Sequence, residues 1–305
     1  MRVLIIGLGS IATKHINALC GIDNNVQIFA LRDRGKNQIE GVTNVFSWKD
    51  IPNSIDFIII SNPSSEHYET IWKACEIGVP LFIEKPALIS LEKTDDLFGR
   101  ISQMNVATYV AFNFRFHPAL IWLKNNLDLS SVIEVQSYCG SYLPSWRPTQ
   151  DYRLNYSSNY LLGGGVHLDL IHELDYITWI FGMPESYIGS QTKVSDLDIS
   201  SKDSAHYWLT YEKMVASITL NYFRRDPKRT IEIVTKDNTL LVNLLTSTIT
   251  DSSDNILFKT DVPVVATYTE QMRYFIDAIV NKKPLMNSLE ESVETLKICL
   301  SNATK

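Results

Sequence analysis

Val3-Leu4-Ile5-Ile6-Gly7-Leu8-Gly9-Ser10-Ile11-Ala12 opens the chain with an apolar run, two glycines and the start of a helical stretch. Four consecutive apolar residues suit a strand buried on both faces, and Thr13 to Leu19 reads as a helix, so the segment is a βα unit. Gly7 permits a tight turn, Gly9 lets a pyrophosphate come close to the backbone, and Ala12 stands where a third glycine is common. The phosphates would rest on the helix N-terminus beside Ser10 and Ile11. A tight turn without a ligand is the structural alternative. The preceding strand, the following helix and the N-terminal position favour dinucleotide binding.

More units of the same kind follow. A second strand over Val26–Leu31 ends in Arg32-Asp33-Arg34. An acidic residue roughly 20 positions past the glycine motif holds a ribose diol, whereas an arginine there accepts a 2′-phosphate. Arg32 at that place gives a lean toward NADP, and two solvated loop arginines are the competing reading. The strand Phe57–Ile60 runs into Ser61-Asn62-Pro63-Ser64-Ser65-Glu66-His67, a loop at the edge where parallel sheets bind ligands. A helix over Tyr68–Ile77 stops at Gly78, and the strand Pro80–Ile83 delivers Glu84-Lys85-Pro86. A lysine held by proline at the end of a buried strand points into the crevice where a nicotinamide would lie, although many Lys-Pro pairs are solvated loops. A helix over Ser90–Met104 and a strand over Val106–Phe112 lead to Asn113-Phe114-Arg115-Phe116-His117-Pro118, a core edge or a cleft wall.

Composition narrows the function classes. The 305 residues suggest two domains, and 45% hydrophobic with 20% charged residues is ordinary globular composition. A formal charge of −6 offers no basic footprint for nucleic acid or an anionic membrane. Cys20, Cys75, Cys139 and Cys299 lack C-x-x-C spacing, so neither zinc nor a disulfide framework is expected. They read as reduced thiols, buried or half-buried, in a cytoplasmic protein. The opening apolar run is too short for a signal-peptide core, and no stretch is long enough to span a bilayer.

The second half changes character. After a helix from Ile121 come strands over Val132–Tyr138, Ser204–Tyr211, Met214–Tyr222, Thr230–Thr235 and Thr239–Asn243, with hairpin turns at 211–214 and 236–239. Strands without intervening helices imply a largely antiparallel sheet, open on one face. Helices over Tyr268–Val280 and Leu289–Leu300 close the chain. The fold class is α/β, a Rossmann domain over residues 1–118 followed by an α+β domain over 119–305. Trp146, Arg147, Tyr152 and Arg153 share one loop, which suits stacking on a polar substrate and holding an anionic group, or equally surface packing of Trp146. In Gly164-Gly165-Val166-His167-Leu168-Asp169-Leu170-Ile171-His172-Glu173-Leu174-Asp175 a helix would put Asp169 and His172 on one face, three residues apart. A carboxylate beside an imidazole tunes a general base, while acidic residues near a helix start also simply complement its dipole.

Gly7 to Ala12, Asn62-Pro63 with His67, Glu84-Lys85-Pro86, Asn113 to Phe116 and Gly163 to Asp175 together resemble the Gfo/Idh/MocA family of glucose-fructose oxidoreductase and inositol dehydrogenase. The resemblance covers essentially the whole chain, in the family's order. It implies that Lys85 hydrogen-bonds the reacting oxygen, His172 acts as general base or acid, Asp169 orients and polarises, and a cis bond precedes Pro86. The expected cofactor-binding set is Gly7, Gly9, Ser10, Ile11, Ala12, Arg32, Asp33, Asn62, Pro63, His67, Glu84, Lys85 and Asn113. The expected substrate set is Arg115, Trp146, Arg147, Tyr152, Arg153 and Glu173. The resemblance also implies a homodimer or homotetramer formed through the C-terminal sheet.

One departure stands out. The family places the histidine four residues after the aspartate, whereas here Glu173 holds that place and His172 comes third. One position rotates a side chain by about 100° on a helix, so either the preceding turn absorbs the shift or Glu173 handles the proton. His172 keeps H-x-x-D spacing to Asp175 and is preferred. The expected activity is NAD(P)-dependent oxidation or reduction of a sugar, cyclitol or nucleotide sugar. A sugar hydrolase or isomerase that oxidises only transiently, and a non-catalytic NADP sensor, are the alternatives.

Overall fold

Residues Arg2–Ile6 form β1, fully buried from Val3 to Ile6, and the chain turns through Gly7 into α1, Ser10–Ile22. The computed structural model describes residues 1–32 and 38–302, so Asp33 and Arg34 lie outside the described residues. The strands β2 (Gln27–Leu31), β3 (Val42–Val45), β4 (Phe57–Ile60), β5 (Leu81–Glu84) and β6 (Thr108–Ala111) complete a six-stranded sheet in the order β3-β2-β1-β4-β5-β6. Every pairing in it is parallel. The strand order reverses beside β1, which is the doubly wound arrangement that leaves a crevice at the carboxyl ends of β1 and β4. Between strands run α2 (His67–Ala74) and α3 (Thr94–Met104).

Two compact units divide the chain. The first joins Met1–Asn113 to Val265–Val293, and the second joins Phe114–Val264 to Glu294–Lys305. A single cut after residue 118 leaves the late segment 265–293 with the second half, whereas its helix, Ala266–Val280, packs on the core of the parallel sheet. That helix buries Thr267, Gln271, Met272, Phe275 and Ala278, a stripe at helical spacing. Phe275 sits edge-on to Phe57 at 5.1 Å and to Phe82 at 5.3 Å, and it lies 5.7 Å from Tyr109. Gln271 donates to the Tyr109 hydroxyl at 3.0 Å.

In the second unit α4 (Pro118–Asn126) precedes β7 (Val132–Gly140), and later come α5 (Val166–Asp169) and α6 (His172–Phe181). Strands β8 (Ser186–Thr192), β9 (Ser204–Thr210), β10 (Val215–Asn221), β11 (Lys228–Thr235), β12 (Thr239–Asn243), β13 (Thr248–Thr250) and β14 (Ile256–Lys259) follow. They make an eight-stranded sheet ordered β14-β13-β12-β11-β7-β10-β9-β8. Only the β7–β10 pairing in it is parallel, so the sheet is mostly antiparallel, as expected. β9 alternates buried Tyr207 and Leu209 with outward His206 and Trp208, and α5 and α6 lie on the sheet. The helix Ala266–Val280 is α7, and α8 is Leu289–Leu300.

Two expectations are corrected. The stretch from Gly164 is not one helix: α5 has four residues, Leu170 leaves helical geometry at φ −102° and ψ 26°, and α6 begins at His172. Asp169 and His172 therefore sit on separate helices. Every residue from Leu168 to Thr178 is buried, polar ones included, so burial runs all round the stretch rather than along the single stripe of a surface helix. Among the cysteines, Cys20 is exposed rather than buried. Among the described residues no helix is long and apolar enough to cross a membrane.

The aromatic cluster gives a direct test of α7. Phe275→Ala should cost about 3–5 kcal/mol, the usual loss for a buried phenylalanine, in urea unfolding followed by circular dichroism. A shift below about 1 kcal/mol would mean α7 is not part of that core.

Candidate active site

The nucleotide end of the first unit is set by the loops after β1 and β4. Gly7 has φ +85°, and a Cβ built there would lie 2.4 Å from the Asn62 backbone nitrogen. No side chain can occupy that position, so the two loops close on each other. The Ser61 hydroxyl donates to the Gly7 carbonyl at 2.9 Å and reinforces the approach. At Gly9, by contrast, a Cβ would meet nothing within 4 Å. Gly9 caps α1 without a side-chain hydrogen bond, and the first turn holds no acidic residue. Free first-turn amides, open space and no repelling carboxylate fit a dinucleotide's pyrophosphate. Ser10 is exposed, Ile11 half-buried and Ala12 buried against the sheet. Arg32, half-buried, follows β2, and its amide donates to the Val45 carbonyl at 3.1 Å.

The β5 end is held by two histidines. His15 on α1 meets the Glu84 carboxylate at 2.5 Å, and the Lys85 amide donates to Glu84 at 3.2 Å. The Lys85–Pro86 bond is cis, as the resemblance implied. His67, completely buried, places its ring nitrogens 3.1 Å from the Pro86 and Ala87 carbonyls and 3.0 Å from that of Asn62. Burial lowers its pKa, while those carbonyls pull the other way. His67 thus ties the Asn62-Pro63 loop to the Lys85-Pro86 turn from beneath. Asn62 spends its amide on Glu66 and Thr70, and Asn113 donates to Thr267 on α7 at 2.7 Å.

In the second unit the centre is Asp169, only 5% exposed. The Tyr222 hydroxyl donates to its carboxylate, and the Tyr156 hydroxyl also hydrogen-bonds it. The Asp169 charge, then burial, pushes the Tyr156 phenol well above its usual range; burial, then Asp169, does the same to Tyr222. Both phenols therefore stay protonated and act as donors. Trp146 packs edge-on against Tyr222 at 5.3 Å and donates to Ser141, and the Arg147 charge acts on Tyr156. Tyr156 and Tyr222 were not singled out from sequence, since Tyr222 lies 53 residues from Asp169. The aromatic and basic run Tyr222-Phe223-Arg224-Arg225 closing a strand was the available signal.

His172 is buried and tilts against Phe114 at 5.1 Å. Glu173, fully buried, pairs with the Arg229 guanidinium at 2.6 Å, and Arg229 lies 3.7 Å over the Phe114 ring. Arg115 grips Asp175 through Nε and Nη2, the shortest contact being 2.6 Å. Burial raises the Asp175 pKa against the pull of Arg115. Glu173 and Arg115, expected at the substrate, are each half of an ion pair that anchors α6. Tyr152 accepts from the Asp198 amide at 3.2 Å, and Arg153 is exposed and paired with Asp151 at 2.6 Å.

These features define a class: a doubly wound dinucleotide-binding unit joined to a unit that presents a buried carboxylate, phenols and a histidine. A family model described as the oxidoreductase family with NAD-binding Rossmann fold matches residues 1–112. The GFO/IDH/MocA C-terminal domain matches residues 128–241. The chain belongs to the Gfo/Idh/MocA oxidoreductase family. It is 27% identical over 192 residues to scyllo-inositol 2-dehydrogenase (NAD(+)) of Bacillus subtilis (strain 168), covering 60% of this chain and 54% of that protein. The chain thus spans about half the length of that curated relative. It is 23% identical over 258 residues to UDP-N-acetylglucosamine 3-dehydrogenase of Acidithiobacillus ferrooxidans (strain ATCC 23270 / DSM 14882 / CIP 104768 / NCIMB 8455), covering 82% of this chain and 76% of that protein. A solved structure of the Acidithiobacillus ferrooxidans enzyme shares the fold, with TM-score 0.79, 20% identity, and coverage of 98% of this chain and 95% of that one.

His117 offers a pH test of the scaffold under His172. It is fully buried, stacks on Phe114 at 5.7 Å, and burial, then the Arg229 charge, lowers its pKa to about 4. A depressed folded-state value means that neutral His117 contributes stability above pH 6.5 that is lost as pH falls toward 4. Urea midpoints should drop over that window by the equivalent of roughly 3 kcal/mol, and His117→Gln should flatten the slope. A wild-type profile flat from pH 6.5 to 4.5 would contradict a buried neutral His117.

Proposed function

We propose that the protein is an NAD(P)-dependent dehydrogenase or reductase acting on a CH–OH or keto carbon of a sugar, cyclitol or nucleotide sugar. The observation that carries this reading is Lys85 at the carboxyl end of β5, its amide donating to Glu84, on the sheet edge that also carries the Gly7–Gly9 loop. Its relatives' names, scyllo-inositol 2-dehydrogenase and UDP-N-acetylglucosamine 3-dehydrogenase, support the substrate class.

The nicotinamide, when bound, accepts or supplies the hydride. Gly7, Gly9, Ser10 and Ile11 hold the pyrophosphate on the α1 N-terminus, and Lys85 donates a hydrogen bond to the reacting oxygen as its charge changes. His172 takes the hydroxyl proton in oxidation and returns it in reduction. Asp169, fixed by Tyr156 and Tyr222, orients the substrate. Glu173 is assigned to holding Arg229 rather than to proton transfer, because its carboxylate is buried in that ion pair. Arg32 favours NADP, and four free thiols are in keeping with a reducing cytoplasm.

Mixing the protein with NAD or NADP and a panel of cyclitols, hexoses, uronates and nucleotide sugars should give an absorbance change at the reduced-nicotinamide band. Lys85→Ala and His172→Ala should each lower turnover by about 100-fold or more with cofactor affinity within a few-fold. Product formed with no net cofactor change would point instead to transient oxidation. Full activity in both variants would refute the assignment. Arg32→Ala should weaken NADP selectively, and equal loss for NAD would remove the phosphate role.

We also propose a homo-oligomer through the open sheet face. Across it the register aligns Ile188, Trp208, Ser217, Gln136, Glu232 and Leu241 in one row. Ile188 is 52% exposed, Trp208 46% and Leu241 41%, an apolar fraction that gains from burial against a second copy. Light scattering should give a dimer or tetramer that Trp208→Glu shifts toward monomer, whereas a wild-type monomer would refute it.

A further inference from the structure

The second unit holds a cavity of about 350 Å³, lined by the residue that follows Tyr222 in the chain, with no role in the hydride chemistry above. Tyr142, Tyr152 and Phe223 give it aromatic walls, and Asp196 and Arg225 give it one negative and one positive group. The volume falls within the usual range for small-molecule sites.

The walls are built rather than incidental. Asp203 is completely buried and accepts from the Val194 amide at 2.8 Å and from the Ser195 amide and hydroxyl at 3.0 and 2.6 Å. Those bonds fix the segment that carries Asp196. Tyr152 is pinned through its hydroxyl to the Asp198 amide. Arg225 lies over Tyr142, its Cζ 3.6 Å from the ring centroid, and among the described residues its charge meets no carboxylate. Its neighbour Arg224, by contrast, is paired with Asp226. A stacked guanidinium with its edge unspent is the arrangement that takes a phosphate in forked geometry.

Position then selects the ligand. Tyr222 gives its hydroxyl to Asp169, Phe223 lines the cavity, and Arg225 lies two residues further on. Trp146 bridges the same ground, packing on Tyr222 one short turn after Tyr142. A molecule with its sugar at Asp169 and its far end in the cavity must carry anionic charge past Arg225, a flat ring for the aromatic walls, and hydroxyls for Asp196.

We propose that this cavity binds the nucleoside diphosphate of a nucleotide-sugar substrate, with phosphate on Arg225, the base against Tyr142, Tyr152 and Phe223, and a ribose hydroxyl on Asp196. This rests on the dehydrogenase reading and narrows its substrate class. It also gives Tyr152 a ring-stacking place and leaves Arg153, tied to Asp151, outside the contact.

Calorimetric titration of the whole protein with uridine 5′-diphosphate, in saturating NADPH so that the dinucleotide crevice is filled, tests it. Binding should be measurable, weaken at least tenfold in Arg225→Gln, and be lost for uridine without phosphate. Absence of UDP binding, or binding that Arg225→Gln leaves unchanged, overturns the proposal. So does a neutral oligosaccharide such as maltotriose binding the cavity as tightly as UDP. Arg225-dependent UDP binding with no nicotinamide turnover on any sugar would keep the cavity assignment and sink the dehydrogenase reading. Turnover of free cyclitols with no UDP binding would do the reverse.

Discussion

A Cβ on residue 7 would sit 2.4 Å from the Asn62 nitrogen, and the first unit is arranged around that exclusion. Parallel strands buried on both faces bring their carboxyl ends side by side, and the loops that leave them compete for one space. Gly7 yields that space to Asn62; the Asn62 carbonyl then meets His67, which also holds Pro86 and Ala87. A close approach at the first glycine is thereby passed along two loops to the position of Lys85. The same fixed loops leave the region above Gly9 open at the helix N-terminus, so the geometry that excludes a side chain at one glycine clears room for phosphate at the next.

The second unit is governed by buried charge. Glu173 and Asp175 stand in the first turn of α6, and each is neutralised by an arginine from elsewhere in the unit. Removing one partner from such a pair leaves an uncompensated ion in a dry site, which costs far more than the pair contributes. These pairs fix where α6 begins, and with it the ring of His172 against Phe114. Phe114 in turn carries Arg229 on one side and His117 on another, so a proton-handling candidate rests on a platform made by groups that do no chemistry.

What could be read in the chain was what is local. The run Val3–Ile6 with its glycines, the strand Thr239–Asn243 and the helix Leu289–Leu300 have the observed limits or nearly so, because each carries its own period or turn chemistry. The short strand Val42–Val45 and the strands Ser186–Thr192, Thr248–Thr250 and Ile256–Lys259 went unread. Ser186–Thr192 is mostly polar with a glycine inside, and its place comes from pairing with β9 rather than from propensity. Lys85 and Asp169 were named from their motifs, but the surroundings of Asp169 were not legible. Tyr222 reaches it across 53 residues and Arg229 reaches Glu173 across 56, distances over which no spacing rule operates. The helix break at Leu170 was hidden for the opposite reason: locally the stretch looks helical, and tertiary burial of Leu168 through Leu174 overrides it.

The return of α7 to the first unit has a consequence for how the chain is made. A ribosome delivers β1 through β6 early, yet Phe57, Phe82 and Tyr109 lack the ring of Phe275 until that residue has emerged. The whole strand set of the second unit must be synthesised in the interval. Domains ordinarily mature in the order of synthesis, but here neither unit is complete until its late segment, 265–293 for the first and 294–305 for the second, has been made. Until then the first unit's sheet lacks the apolar stripe of α7 that packs on its core.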